Sequence, residues 1–152
     1  MKTLADLQNK EEILRRLRAI GPASKRRWGK MTAAEMICHL SDAFRVSIGD
    51  REANLIRVPV PRSLFKWAAL WLPAQWPQGV KTVPECDPKL GGTPPGQIEN
   101  DLSELCKLID RFTQQPAGSV WPQHPIFGPM SGKEWLRWGY LHADHHLRQF
   151  GA

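Results

Sequence analysis

Two segments far apart in the chain carry the same helix-start design, and together they constrain the fold more than any other feature. Gly29-Lys30-Met31-Thr32-Ala33-Ala34-Glu35-Met36 parallels Gly128-Pro129-Met130-Ser131-Gly132-Lys133-Glu134-Trp135. In each, a hydroxyl residue is followed three positions later by glutamate, the reciprocal capping box that satisfies the first free N–H groups of a helix. Met31 with Met36, and Met130 with Trp135, have the spacing of a hydrophobic staple that pins a helix start against the core.

The rest of the chain is patterned to match. Over residues 4–20, Ile13, Leu14, Leu17 and Ile20 follow helical spacing behind Leu4 and Leu7, and Gly21-Pro22 stops the helix. The helix opened by Thr32 carries Met36, Ile37, Leu40, Ala43, Phe44 and Ile48 and stops at Gly49. Pro61 suits the first turn of a third helix, Leu64 to Leu72, ended by Pro73. This helix is expected to pack in the core; covering a site or forming a homodimer interface are the other roles open to it. A fourth helix is expected over about 95–113, with Ile98, Leu102, Leu105, Leu108, Ile109 and Phe112 on one face. The last runs from Ser131 to about Gln149, before Gly151. Between them lie long Pro/Gly-rich connections, 73–96 and 114–130, of the length that is functional or well packed in compact proteins. No segment alternates with period two as a strand would. An all-α bundle in one domain, 1–152, follows.

Composition excludes several classes. Hydrophobic residues make up 41% of the chain, enough for a core and too many for a disordered segment. Seven tryptophans add core volume, and Trp28, Trp135 and Trp138 are positioned to wall a pocket, although helical spacing first suggests core. Cys38, Cys86 and Cys106 are odd in number and form no CxxC, which suits a reduced, cytoplasmic protein. The start of the chain turns polar too soon for a signal peptide, and the apolar run 64–72 is far short of the roughly 20 residues that span a bilayer. The net charge of +6 is concentrated early, from Lys10 to Lys30. It reads as a solvated helix face and loop; a nucleic-acid or anion surface is the weaker alternative, since no recognition motif accompanies it.

Histidines mark the candidate site. His39 lies seven positions beyond its cap, His142 and His146 eleven and fifteen beyond theirs. These offsets differ by fours, so all three fall on about the same face relative to the incoming chain. His142 and His146, at i and i+4, can both reach one ion, and His39 from a facing helix would complete the set. Two alternatives stay open on spacing alone: His145 can replace His146 at i+3, and histidines in a last helical turn also favour the helix dipole without any metal. Glu35 and Asp42 flank His39 on its side of the helix. Glu35 belongs first to the capping box; Asp42 is either a surface carboxylate or a group that orients an imidazole or acts as a base. Cys38 turns about 100° away from His39 and reads as a small buried hydrophobe. His124, in a Pro-rich loop, reads as structural.

The block Trp28-Gly29-Lys30-Met31-Thr32-Ala33-Ala34-Glu35-Met36-Ile37-Cys38-His39-Leu40-Ser41-Asp42 and the block His142-Ala143-Asp144-His145-His146-Leu147-Arg148-Gln149 resemble the two signature helices of the DinB/YfiT-like metalloenzyme superfamily. The middle of the chain, with Gly91-Gly92-Thr93-Pro94-Pro95-Gly96 and His124 to Met130, looks like its DUF1569 branch. The resemblance implies a DinB-like four-helix bundle with an additional short helix. It also implies a divalent metal, zinc first and nickel or iron as alternatives, held by His39, His142 and His146. Relatives of that superfamily include S-transferases and isomerases that use low-molecular-weight thiols. The implied function is a metal-dependent thiol transferase or related hydrolase acting on a small molecule, and the alternative is a non-catalytic metal-binding or stress-response module.

Overall fold

The computed structural model describes residues 1–152 as five α-helices joined by irregular segments, with no sheet: α1 (Leu7–Arg18), α2 (Ala33–Ile48), α3 (Arg62–Trp71), α4 (Ile98–Thr113) and α5 (Gly132–Gln149). Both capping boxes are formed. Thr32 and Ser131 accept the N–H of Glu35 and Glu134, whose carboxylates return to the N–H of the caps. Gly49 ends α2 in the left-handed conformation (φ 82°), which a residue with a Cβ adopts at a cost.

Three helix starts differ from the sequence expectation, each for a local reason. α1 opens at Leu7 because Asp6 caps it, accepting the Asn9 N–H. Leu4 lies outside the helix yet fills the core, held by a backbone bond to Leu136, whereas Leu7 points to solvent. α4 starts at Ile98, since Pro94, Pro95 and Gly96 stay in the loop. Pro61 caps α3 from outside rather than starting its first turn.

α2 packs most extensively on α4 and also meets α5, while α1 lies against α5 and α4. The core between them is aliphatic and aromatic: Leu17, Met36, Leu40, Phe44, Leu108, Phe112 and Trp135 are fully buried. α3 stands apart, touching mainly α5. The expectation that α3 packs in the core is corrected. Only Leu70 is buried; Leu64 and Trp67 are exposed. The helix is apolar on more than one face: Leu70 is buried and Phe65 meets Phe127, while Leu64 and Trp67 face solvent.

The long connection after α3 is not loose. It contains a short 3-10 turn, Pro84–Cys86, which packs on α2. Arg51 donates to the carbonyls of Glu85 and Gly91, and Asp42 accepts from the Thr93 N–H at 2.6 Å and the Thr93 hydroxyl at 2.7 Å. No helix is long and apolar enough to cross a membrane.

Candidate metal centre

α2 delivers His39 and α5 delivers His142 and His146 to one point, each from within a helix whose start is fixed by a capping box. One ring nitrogen from each lies within 4.8 Å of the others. The His39 and His142 Nε2 atoms are 3.1 Å apart. Tetrahedral zinc, with bonds of about 2.0–2.1 Å, holds its ligand nitrogens roughly 3.3–3.4 Å apart. The three nitrogens bracket that spacing: the His39–His142 pair lies slightly inside it, and wider separations, up to 4.8 Å, would close onto an ion.

Hydrogen bonds fix which nitrogen is free. His39 Nδ1 lies 2.9 Å from the Cys86 carbonyl. A carbonyl only accepts, so Nδ1 carries the proton and Nε2 presents a lone pair. His146 is fixed by a relay. Gln149 donates its amide N–H to the Trp28 carbonyl (3.0 Å), which turns its Oε1 toward His146 Nδ1, also at 3.0 Å. Nδ1–H donates there, and His146 Nε2 is left bare. His142 Nε2–H donates to the bare His39 Nε2, and its Nδ1 is sealed from solvent without a partner, so this ring is the one whose proton must move for Nε2 to take an ion. Two preset imidazoles and one adaptable one make a donor set that fits a divalent ion.

Electrostatics favours the neutral rings that metal binding needs. Burial lowers the pKa of His39, against the opposing pull of the Cys86 carbonyl and of Asp42 and Asp87. Burial, then the neighbouring imidazoles, holds His142 well below the usual histidine value; for His146, burial leads in the same direction. Both rings are only half-buried, because their open side faces a cavity.

That cavity is about 350 Å³. The histidines form its polar end; Phe65, Trp76, Val83, Phe127 and Trp138 are among its apolar walls. α3 is one of those walls, through Phe65, Ala68, Ala69 and Leu72. Trp135 and Trp138 thus serve both core and cavity, and Trp28 packs edge-on against His145, ring centroids 4.8 Å apart.

The other sequence candidates fall elsewhere. Glu35 is committed to its capping box and to Lys89, and reaches no imidazole. Asp42 is fully buried rather than a surface carboxylate. It pairs with Arg45 (3.1 Å) and Arg51 (3.3 Å) and anchors Thr93, while His39 takes the Cys86 carbonyl instead. His145 is buried at the cavity with its Nδ1 unpartnered, and burial lowers its pKa to about 4. Cys38 is buried with its thiol 3.6 Å from Asp101. Burial pushes Cys38 and Cys86 up to about 12 and raises Cys106, so none of the chain's own thiols is an activated nucleophile.

Sequence reasoning missed the Cys86 carbonyl, the Gln149–Trp28 relay and Trp76. Gln149 had a signal, at i+3 from His146 within the terminal motif. The other two lie in irregular chain, where spacing carries no information about approach.

No curated protein and no solved structure shows significant similarity to the chain. The family described as "Protein of unknown function (DUF1569)" matches residues 2–152. With the match spanning nearly the whole sequence, the chain belongs to the DUF1569 family.

Proposed function

We propose that this protein is a divalent-metal enzyme. His39, His142 and His146 hold the ion, zinc first with nickel or iron as alternatives, and a small molecule reacts in the adjoining cavity. One observation carries the reading: three imidazoles, His39 buried and His142 and His146 half-buried, converge on a largely apolar chamber. Three protein ligands leave a position for substrate or water, as catalytic sites do and closed structural sites do not. A bound ion supplies Lewis acidity that lowers the pKa of a coordinated thiol or water.

The chain's own residues do the rest. The Cys86 carbonyl and Gln149 aim two of the rings, and Trp76 and Trp138 give the chamber apolar walls beside them. The chain's own thiols are protonated, so a thiol for transfer comes from a low-molecular-weight donor in solution. The class is a thiol-dependent S-transferase or a related hydrolase. The mutual contacts of α1, α2, α4 and α5 support a DinB-like four-helix bundle in one domain, with α3 as the addition. Lys10 and Arg16 are engaged by Asp110 and Asp144, which leaves less free cationic surface for the nucleic-acid alternative.

The test is turnover of a panel of electrophiles and activated esters by zinc-loaded protein, with and without glutathione, cysteine and mycothiol, followed by mass spectrometry. Product that forms with wild type and disappears with His142→Ala supports the reading. Zinc binding without turnover of any member would favour the non-catalytic metal-binding module instead.

A further inference from the structure

The cavity contains a polar group that the three-histidine reading leaves unused. His124 sits where the loop before α5 closes on itself, its N and O paired with Gly128 O and N at 2.8 Å each. Within this turn, His124 Nδ1 accepts the N–H groups of both Ile126 and Phe127, each at 3.1 Å. A backbone N–H only donates, so Nδ1 is a bare lone pair and the ring proton resides on Nε2. The ring cannot easily turn. It stacks on Phe127 (4.5 Å, 22°) and meets Trp138 edge-on (5.2 Å, 72°). Burial lowers its pKa to about 3, so it is neutral.

Nε2–H has no acceptor in the protein. It is also not among the unpaired polar atoms sealed from solvent, which are Trp135 Nε1, His142 Nδ1 and His145 Nδ1. His124 lines the cavity, so the free N–H opens into it. The surrounding wall includes no carboxylate, and its one formal charge, Lys81, is exposed. An ionic group in the chamber would lose its water with no counter-charge away from the three-histidine end, whereas an uncharged apolar body is matched by the aromatic walls.

We propose that the cavity takes an uncharged, largely apolar molecule bearing a carbonyl or similar acceptor oxygen. His124 Nε2–H is the fixed donor for that oxygen, and so acts as a specificity and positioning residue. This rests on the proposed function for what lies at the histidine end; the donor itself is set by the chain alone.

The test compares acetophenone with α-methylstyrene, the same shape with =CH2 in place of =O. Binding is read by saturable change in tryptophan fluorescence, in EDTA-stripped and in zinc-supplemented protein. His124→Asn keeps an acceptor oxygen for the Ile126 and Phe127 N–H groups but has nothing at the Nε2 position. Near-UV circular dichroism checks that its fold is intact. The expected result is a five- to tenfold weakening of acetophenone, the scale of one lost hydrogen bond, with α-methylstyrene within twofold of wild type and the same contrast with and without zinc. A measurement without any variant stands beside it: nitrogen-15 NMR of wild type should show the His124 proton on Nε2, with that N–H shifting when acetophenone binds. Saturable binding of neither probe, equal loss of both in His124→Asn, no loss of either, or a proton on Nδ1 would overturn the proposal. Failure to bind zinc with the probe contrast intact would overturn the metal reading alone.

Discussion

Replacing Gln149 by leucine should weaken metal binding without touching a ligand. Gln149 is buried and its amide makes two bonds at once, to His146 Nδ1 and to the Trp28 carbonyl, each 3.0 Å. Leucine has about the same bulk and can make neither. His146 then loses the acceptor that holds its proton on Nδ1 and its ring in place. Outer-shell partners of this kind are worth about 10- to 100-fold in metal affinity. The metal-free fold should lose roughly 1–3 kcal/mol, because a buried donor is left unpaired. Gln149→Glu separates the two bonds: it still accepts from His146 but sets a carboxylate oxygen against the Trp28 carbonyl, so affinity should stay near wild type while stability drops. Gly29→Ala approaches the relay from the other side. Gly29 has φ 83°, and a Cβ there would collide with the Gln149 amide, so this variant should reproduce the affinity loss. Zinc affinity is measured by competition with a chromophoric chelator, and stability by urea titration of EDTA-treated protein. Wild-type zinc affinity in a folded Gln149→Leu protein would refute the relay.

Asp42→Ala should cost about 1–3 kcal/mol in urea unfolding, because it removes the buried acceptor of Thr93 and a partner of Arg45 and Arg51, which are part-exposed and keep Glu104 and the Glu85 and Gly91 carbonyls; zinc stoichiometry should not change. Gly139→Ala should lower the melting temperature despite a helix-propensity gain of about 1 kcal/mol. A Cβ there would sit 2.8 Å from Phe112 and 3.0 Å from Leu4, and overpacking costs about 1–3 kcal/mol. Metal-stripped protein should lose stability in mild acid. His124 titrates at about 3 in the fold, against 6.5 for an unperturbed histidine. Above 6.5 it is neutral in both states and contributes no pH dependence. Below 6.5 only the unfolded chain takes that proton, so His124 alone removes about 1.4 kcal/mol per pH unit until its folded value is reached, and His39, His142, His145 and His146, also depressed by burial, steepen the loss. Unfolding free energies at pH 7, 5.5 and 4.5 check this, and a flat profile would contradict the neutral, buried ring.

The parts of the fold legible in the sequence are those written in local chemistry. Thr32 with Glu35 and Ser131 with Glu134 mark the starts of α2 and α5, because a capping box lies within four residues of one chain. The offsets from those caps also bring His39, His142 and His146 toward one another, since a helix turns a spacing into a direction. What spacing does not contain is the approach of irregular chain. The 3-10 turn that presents the Cys86 carbonyl to His39 lies in a segment held by Arg51 and, through Thr93, by Asp42, and Trp76 is held by its indole N–H donating to the Ala69 carbonyl. Asp42 shows the same gap from the other side: its helical position puts it near His39, but tertiary contacts commit it to Thr93. α3 misled because its apolar residues run round the helix, and the pattern alone does not say which of them meet a partner.

Metal content shows whether His39, His142 and His146 hold an ion. Tag-free protein, exposed to zinc and dialysed, is assayed by mass spectrometry beside His39→Ala, His142→Ala and His146→Ala, with His145→Ala as the neighbouring control. About one ion per chain is expected in wild type and in His145→Ala, and its loss in each of the other three folded variants. Wild type with no bound metal, or retention of a full equivalent in His142→Ala, would contradict a three-histidine metal site.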